Sequence, residues 1–234
     1  MYGEFIMTKL FIVFGLIFGL TTSLFAQDDI PEIEISGYVG GVTDYRDRGL
    51  SLSDQDPTIV AAFSIRHKSG FYVGTQGALI DDQFRRDGQL EFFAGYQFES
   101  GGFEYDLSTE LDSFFGGDNN EYFPEFKASI ARDFGIAYIK TGLAYAPEGR
   151  WNTPGVDSLY WSANFEFPVP TLPELTLISR VGYDFRQDRS DLWDWSIGLS
   201  AFVGDLEFSI AYEDSSLDQE IGDDAIVFGA RLYF

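Results

Sequence analysis

The chain has 234 residues, with 38 Asp and Glu against 15 Lys and Arg, for a formal charge of −23 at neutral pH. That acidity excludes nucleic acid as a partner, because phosphates need a basic surface. The absence of cysteine excludes disulfide staples and thiolate metal sites, while 18% aromatic residues and 25 glycines fit a sheet protein with many turns rather than a disordered acidic chain.

The first predicted element is a leader. Lys9 supplies a positive start, Leu10 to Leu20 is almost wholly apolar, and Thr21–Ala26 forms a cleavage region followed by Gln27, Asp28 and Asp29. The apolar run is too short for a membrane helix and reads as a secretory signal peptide over residues 1–26, with 1–6 as an upstream extension of the start. No Cys follows it, which argues against a lipid anchor. Its removal takes one acid (Glu4) and one base (Lys9), so the formal charge stays at −23. Residues 27–234 contain no Pro/Ser-rich linker and are expected to form one domain.

From Glu32 onward nearly every segment alternates with period 2, the pattern of strands whose two faces meet different surroundings. The first strand is expected near 32–46, with Ile33, Ile35, Val39 and Tyr45 on one face and Glu32, Glu34, Ser36 and Asp44 on the other. Further strands are expected near 57–68, 71–80, 89–98, 103–114, 122–132, 136–146, 158–168, 174–185, 191–202, 206–213 and 225–234. Most are long enough to cross a bilayer at a tilt. Short turns at Ser69–Gly70, Glu99–Gly102, Asp133–Phe134, Pro168–Pro173 and Val203–Asp205 alternate with longer polar loops at 47–56, 81–88, 115–121, 147–157, 186–190 and 214–224. The last strand puts Ile226, Phe228, Ala230, Leu232 and Phe234 on one apolar face, as expected where a final strand pairs with the first and meets lipid.

These features predict an all-β fold, a transmembrane antiparallel up-and-down β-barrel of about twelve strands. Its turns and both termini are expected in the periplasm and its longer loops outside. A barrel of about eight to ten strands follows if two of the weaker segments are loops. A soluble lipocalin-like barrel or sandwich would instead carry its apolar faces inward and end on a polar tail.

The run Gly41–Ser53 (Gly-Val-Thr-Asp-Tyr-Arg-Asp-Arg-Gly-Leu-Ser-Leu-Ser), followed by Pro57, resembles a motif near the start of the TorF family of porins. The similarity continues at Ser69–Thr75, Glu91–Tyr96 and Gly102–Asp106, and more weakly at Phe167–Pro170 and Val181–Tyr183. The chain departs from that family at Gln76–Ala78 and in the acidic loop 214–224. The resemblance implies an outer-membrane barrel with a pore, and names no solute.

Charges on a membrane barrel belong on the lumen face, because the lipid face cannot carry them without large cost. On the 103–114 strand, Phe103, Tyr105, Leu107, Thr109 and Leu111 alternate with Glu104, Asp106, Ser108, Glu110 and Asp112. Parity adds Glu91, Glu166, Asp184, Asp194 and Glu207 as acidic pore-lining positions, with Arg66, Lys127, Lys140, Arg180 and Arg231 as basic ones. Asp44 and Arg46 share that parity at an upper constriction, where Arg48 and Gly49 would let the loop bend inward. The functional expectation is a narrow, cation-leaning channel for small hydrophilic solutes, working by diffusion without a cofactor. The alternative is a non-conducting barrel whose lumen acids and bases pair and hold it closed, serving the envelope structurally or through its surface loops.

Tyr45, Tyr72, Tyr96, Trp161, Trp193 and Trp195 are expected as interface or lipid-facing aromatics, and Trp151 as ordinary loop packing. The only histidine, His67, falls beside the Ser69–Gly70 turn, the wrong end of the barrel for a Ser-His hydrolase. No catalytic set is therefore assigned, and no metal site. The loop acids Asp214, Asp218, Glu220, Asp223 and Asp224 match no standard calcium loop and read as a solvated loop, with bridging to lipopolysaccharide through divalent ions as the alternative. The expected partners are outer-membrane lipid, lipopolysaccharide and small solutes or ions. Any homo-oligomer would be built through the lipid-facing surface.

Overall fold

The computed structural model describes residues 31–117 and 120–234, so the leader expected at 1–26 lies outside the described residues. The strands in chain order are Ile33–Val42 (β1), Arg46–Asp47 (β2), Leu50–Ser51 (β3), Thr58–His67 (β4), Phe71–Leu79 (β5), Gly88–Ser100 (β6), Phe103–Phe115 (β7) and Glu121–Asp133 (β8). They continue as Tyr138–Ala146 (β9), Gly149–Arg150 (β10), Thr153–Pro154 (β11), Ser158–Val169 (β12), Leu172–Arg186 (β13), Leu192–Val203 (β14), Leu206–Ser215 (β15) and Ala225–Tyr233 (β16). Twelve of them form one closed antiparallel barrel, each paired with its neighbours in the chain, and β1 pairs with β16 to close it. The remaining four make two small hairpins, β2 with β3 and β10 with β11, carried on loops.

Closure satisfies the backbone of the last strand. β1 and β16 are in register from Tyr38↔Tyr233 to Val42↔Gly229, and Gly37 and Phe234 exchange two backbone hydrogen bonds of 3.0 Å. A closed barrel leaves no sheet edge, which is what a hydrocarbon solvent demands of strands. The turn between β6 and β7 needs only Gly101 and Gly102, both at positive φ (62° and 76°), the geometry of a two-residue hairpin.

The alternation predicted from the sequence is realised as an apolar exterior and a polar interior. On β16, Ile226, Phe228 and Leu232 are 46–60% exposed while Val227 and Arg231 are buried. On β7, Leu107 and Leu111 face out while Glu110 and Asp112 are buried. Apolar side chains on the outer face gather into an aromatic stack at the turn end, where Phe71, Tyr96, Phe98 and Tyr105 follow one another at 4.7, 5.8 and 5.1 Å between ring centroids. At the loop end, Tyr183 packs on Phe185 at 4.6 Å and Trp195 on Tyr212 at 5.3 Å. Such girdles at the two rims suit the interfaces of a bilayer.

The apolar core sits inside the loop end. Leu50, Leu52 and Trp151 pack there with Val42, Val60, Phe114, Phe123 and Val227 from the barrel wall and with Ile80 just past β5, and Leu217 and Ile221 of the last loop lie against them. Leu50, Leu52, Phe114 and Trp151 are no more than 1% exposed. The loops therefore fold onto one another across the mouth instead of standing out in solvent.

Candidate functional site

Below that apolar layer lies an internal cavity of about 280 Å³. Twelve of the sixteen residues that parity selects line it, and these are Asp44, Arg46, Arg66, Glu91, Glu104, Asp106, Glu110, Asp112, Lys127, Lys140, Arg180 and Arg231. The other four point inward but do not reach it. Asp184 is held by Ser158 Oγ at 2.6 Å, and Asp194 accepts from Tyr160 Oη at 2.9 Å and from Arg180 Nε at 3.1 Å. Glu207 accepts from Ser200, Arg231 and Tyr233. Glu166 is buried on β12, in register with Tyr138 and Ile178. Neighbouring side chains cover these four carboxylates, so parity alone overstates which acids meet the cavity.

Two of the aromatic expectations are corrected in the same way. Tyr72 is buried and donates to Asp106 Oδ2 at 2.7 Å. Tyr45 lines the cavity and packs against the inner apolar core. The reason differs for each: Tyr72 has lumen parity on β5, whereas β1 ends at Val42 and the chain turns in before Tyr45. Trp161 and Trp193 do face out, at 38% and 43% exposure.

The β2–β3 hairpin is the part of the site that parity could not place. Arg48 and Gly49 both have positive φ (52° and 77°) and form its two-residue turn between the pairs Asp47↔Leu50 and Arg46↔Ser51. Left-handed backbone is natural for glycine and uncommon for arginine. Here the Arg48 side chain reaches across the lumen, and its Nη2 donates to both carboxylate oxygens of Glu125, at 2.6 and 2.7 Å. Its guanidinium also lies 4.0 Å from the Tyr160 ring centroid. At the base of the hairpin, Arg46 bonds Asp44 at 2.5 Å, the Gly49 carbonyl at 3.1 Å and the Asp223 carbonyl at 2.7 Å.

A second loop grips the hairpin. Asp47 accepts from Trp151 Nε1 at 2.8 Å and from the Arg150 guanidinium. Arg86, from a third loop, is buried between Asp82 and Glu121 and donates to the Trp151 carbonyl at 3.3 Å. Burial alone would push the Asp47 carboxyl up, but Arg150, Arg48 and the Trp151 bond outweigh it, and the carboxyl is held below its ordinary value. The loops thus form a connected polar lattice under the apolar layer.

The cavity wall carries eight carboxylates and eight bases among the described residues. Four of these sixteen charges escaped the parity selection. Asp47, Arg48 and Arg150 sit on the hairpins, while Glu213 shares the parity of Glu207 and was legible on β15. Glu125, the partner of Arg48, likewise shares the parity of Lys127 and was legible on β8. At the turn end, Arg66 bonds Gln97, and Gln97 and Tyr138 lie 3.5 and 3.4 Å from Glu104 Oε2. His67 is half-buried there, with Ser69 Oγ 2.7 Å from its Nδ1, and the Ser69 backbone N–H also donates to Nδ1 at 3.2 Å. Those two contacts close a local turn.

The chain belongs to the bacterial family of unknown function Gcw_chp, whose family model matches residues 26–229. That family, rather than TorF, is the one matched, and its description carries no function. No curated protein sequence matches the chain. Among solved structures, the KdgM porin is similar with a TM-score of 0.56 and 11% identity, covering 86% of this chain and 98% of its own. The KdgM porin in complex with disordered oligogalacturonate gives a TM-score of 0.57 at 9% identity, again covering 86% and 98%. At such identities the likeness is one of fold, and the fold is that of a twelve-stranded porin-like barrel.

Proposed function

We propose that this Gcw_chp-family barrel is an outer-membrane channel for the passive diffusion of small hydrophilic solutes and ions, exported by a signal peptide at 1–26 and spanning the membrane with residues 27–234. One observation carries this reading: a charged, cavity-containing interior enclosed by an apolar, aromatic-rimmed exterior. An exterior of that kind suits hydrocarbon, and an interior of that kind suits water. The fold shared with porins and the resemblance to the TorF family support it. The short turns would face the periplasm and the meshed loops the outside, with lipid and lipopolysaccharide as the surrounding partners.

The channel is narrow, because the β2–β3 hairpin spans the lumen and is pinned to Glu125 on the far wall. The charges that line the cavity balance, eight carboxylates against eight bases, and the acid excess of the interior lies on Glu125, Glu166, Asp184, Asp194 and Glu207, which are buried in the wall. We therefore expect a weak cation preference. The test is conductance of the refolded protein in a planar bilayer under a KCl gradient, with the Asp106→Asn/Glu110→Gln variant alongside. Discrete openings whose cation preference falls in the variant support the proposal; a folded barrel that never conducts removes it. A second reading, a non-conducting barrel serving the envelope or surface interactions, is favoured by the buried Leu50, Leu52, Phe114 and Trp151 layer at the mouth, and electrical silence would select it.

A further inference from the structure

We propose that Glu91, Glu110 and Asp112 form a lumenal binding site for a hard divalent cation, with Ca²⁺ the best fit. One oxygen of each carboxylate can be chosen so that all three lie within 4.8 Å of one another. Oxygens at that separation can share one ion at the 2.3–2.6 Å typical of calcium. The donor set is wholly oxygen, which favours hard cations over zinc, copper or nickel, and a group built on two adjacent strands suits the variable geometry of Ca²⁺ better than the strict octahedron of Mg²⁺.

A cluster of acids alone would not carry this, but two further acceptors point to a ligand. Glu91 and Gln89 are each 5% exposed, and Oε1 of each has no hydrogen-bond partner. Gln89 sits two residues before Glu91 and donates its amide to Asp112 Oδ1 at 2.8 Å, so its side chain lies against the same group. Unsatisfied buried acceptors are costly, and an ion would satisfy both.

The local charges lead to the same place. Glu91 and Asp112 are directly opposed across β6 and β7, and Glu110 opposes Glu125 across β7 and β8. Like charges directly opposite one another destabilise a sheet. Lys127 serves Glu110 and lies 3.3 Å from Glu125, while Arg48 and Arg150 are engaged by Glu125 and Asp47. The hydrogen bonds to Glu91 and Asp112 come from neutral amides, Gln76 Nε2 at 2.8 Å and Gln89 Nε2. Two buried carboxylates with neutral donors call for a counter-charge, which a bound cation supplies. A proton shared between Glu91 and Glu110 is the competing solution.

The test is Ca²⁺ binding by calorimetry to the refolded protein at neutral pH, a readout independent of whether the barrel conducts. The expected result is one saturable Ca²⁺ per barrel, lost in Glu91→Gln/Asp112→Asn and retained in Asp218→Asn/Asp223→Asn, which alters only the last loop. Heat-modifiable migration establishes that each variant is folded. Should the double variant not fold, Glu91→Gln alone takes its place, read by loss of the Ca²⁺-dependent rise in unfolding temperature. Absence of saturable binding in the wild type, as a shared proton would give, overturns the proposal. So does binding that survives in the Glu91 variants and vanishes in the loop variant.

Discussion

Arg48 and Glu125 are 77 residues apart in the chain and meet in an ion pair across the inside of the barrel, with Arg48 Nη2 at 2.6 and 2.7 Å from the two carboxylate oxygens. The pair joins the tip of a hairpin to the opposite wall, and so decides how much of the lumen the hairpin fills. Arg48 pays for this position with a left-handed backbone.

Replacing Arg48 by Ala should release the hairpin tip. Glu125 keeps Lys127 at 3.3 Å and Arg150 at 3.8 Å, so the loss is limited to that of a charged hydrogen bond, about 1.5–3 kcal/mol. The barrel should still fold, and its unit conductance should rise. An unchanged conductance in a folded variant would show that the hairpin does not set the width of the path.

Asp47 gives the hairpin a defined acid response. Its carboxyl is held below the ordinary value because Arg150 and Arg48 outweigh the desolvation that pushes it up. A lowered folded value means that the grip is complete at neutral pH and remains so down to about 4, the ordinary carboxylate value. It is lost only as the pH falls through the lower folded value. Quenching of Trp151 by acrylamide, with Trp161, Trp193 and Trp195 replaced by Phe, should therefore stay low until strong acid. In Asp47→Asn it should be high at neutral pH already, and a variant as protected as the wild type would place the grip elsewhere.

Lys140 lines the cavity on β9, opposite Asn164 on β12 and Ala131 on β8. Lys140→Gln should shift the reversal potential toward stronger cation preference, opposite in sign to the Asp106→Asn/Glu110→Gln variant. A shift in the same direction for both would mean that the lumen charges act only through folding.

Gly182 stands where Tyr160 and Asp194 meet. A Cβ there would lie 2.0 Å from Tyr160 Oη and 2.4 Å from Asp194 Oδ2, displacing a buried bond that also orients Arg180. Gly182→Ala should lower barrel stability by about 1–3 kcal/mol, read as a drop in the temperature of heat-modifiable unfolding. Stability equal to wild type would show that this contact yields without cost.

The strands, their order and their two faces were legible residue by residue. Ile226, Phe228 and Leu232 had to face out and Arg231 in, because a period of two against two solvents leaves one arrangement whose polar groups are satisfied. The alternation of short turns and long loops likewise implied antiparallel neighbours and a closed sheet. Glu125 and Glu213 were equally readable by parity and add to the same face. Parity cannot tell an inward carboxylate that meets the cavity, such as Asp106, from one that Tyr160 or Arg231 covers, such as Asp194 or Glu207. That distinction depends on cross-strand register and on side chains brought together from several strands. The hairpins lie further still from local reading. Arg48 on Glu125, Asp47 on Arg150 and Trp151, and Leu50 and Leu52 in the apolar layer join segments tens of residues apart. Their partners follow from which loops the closed barrel sets side by side at one rim, since contacts across a lumen are fixed by the curvature of the whole sheet and not by any stretch of the chain.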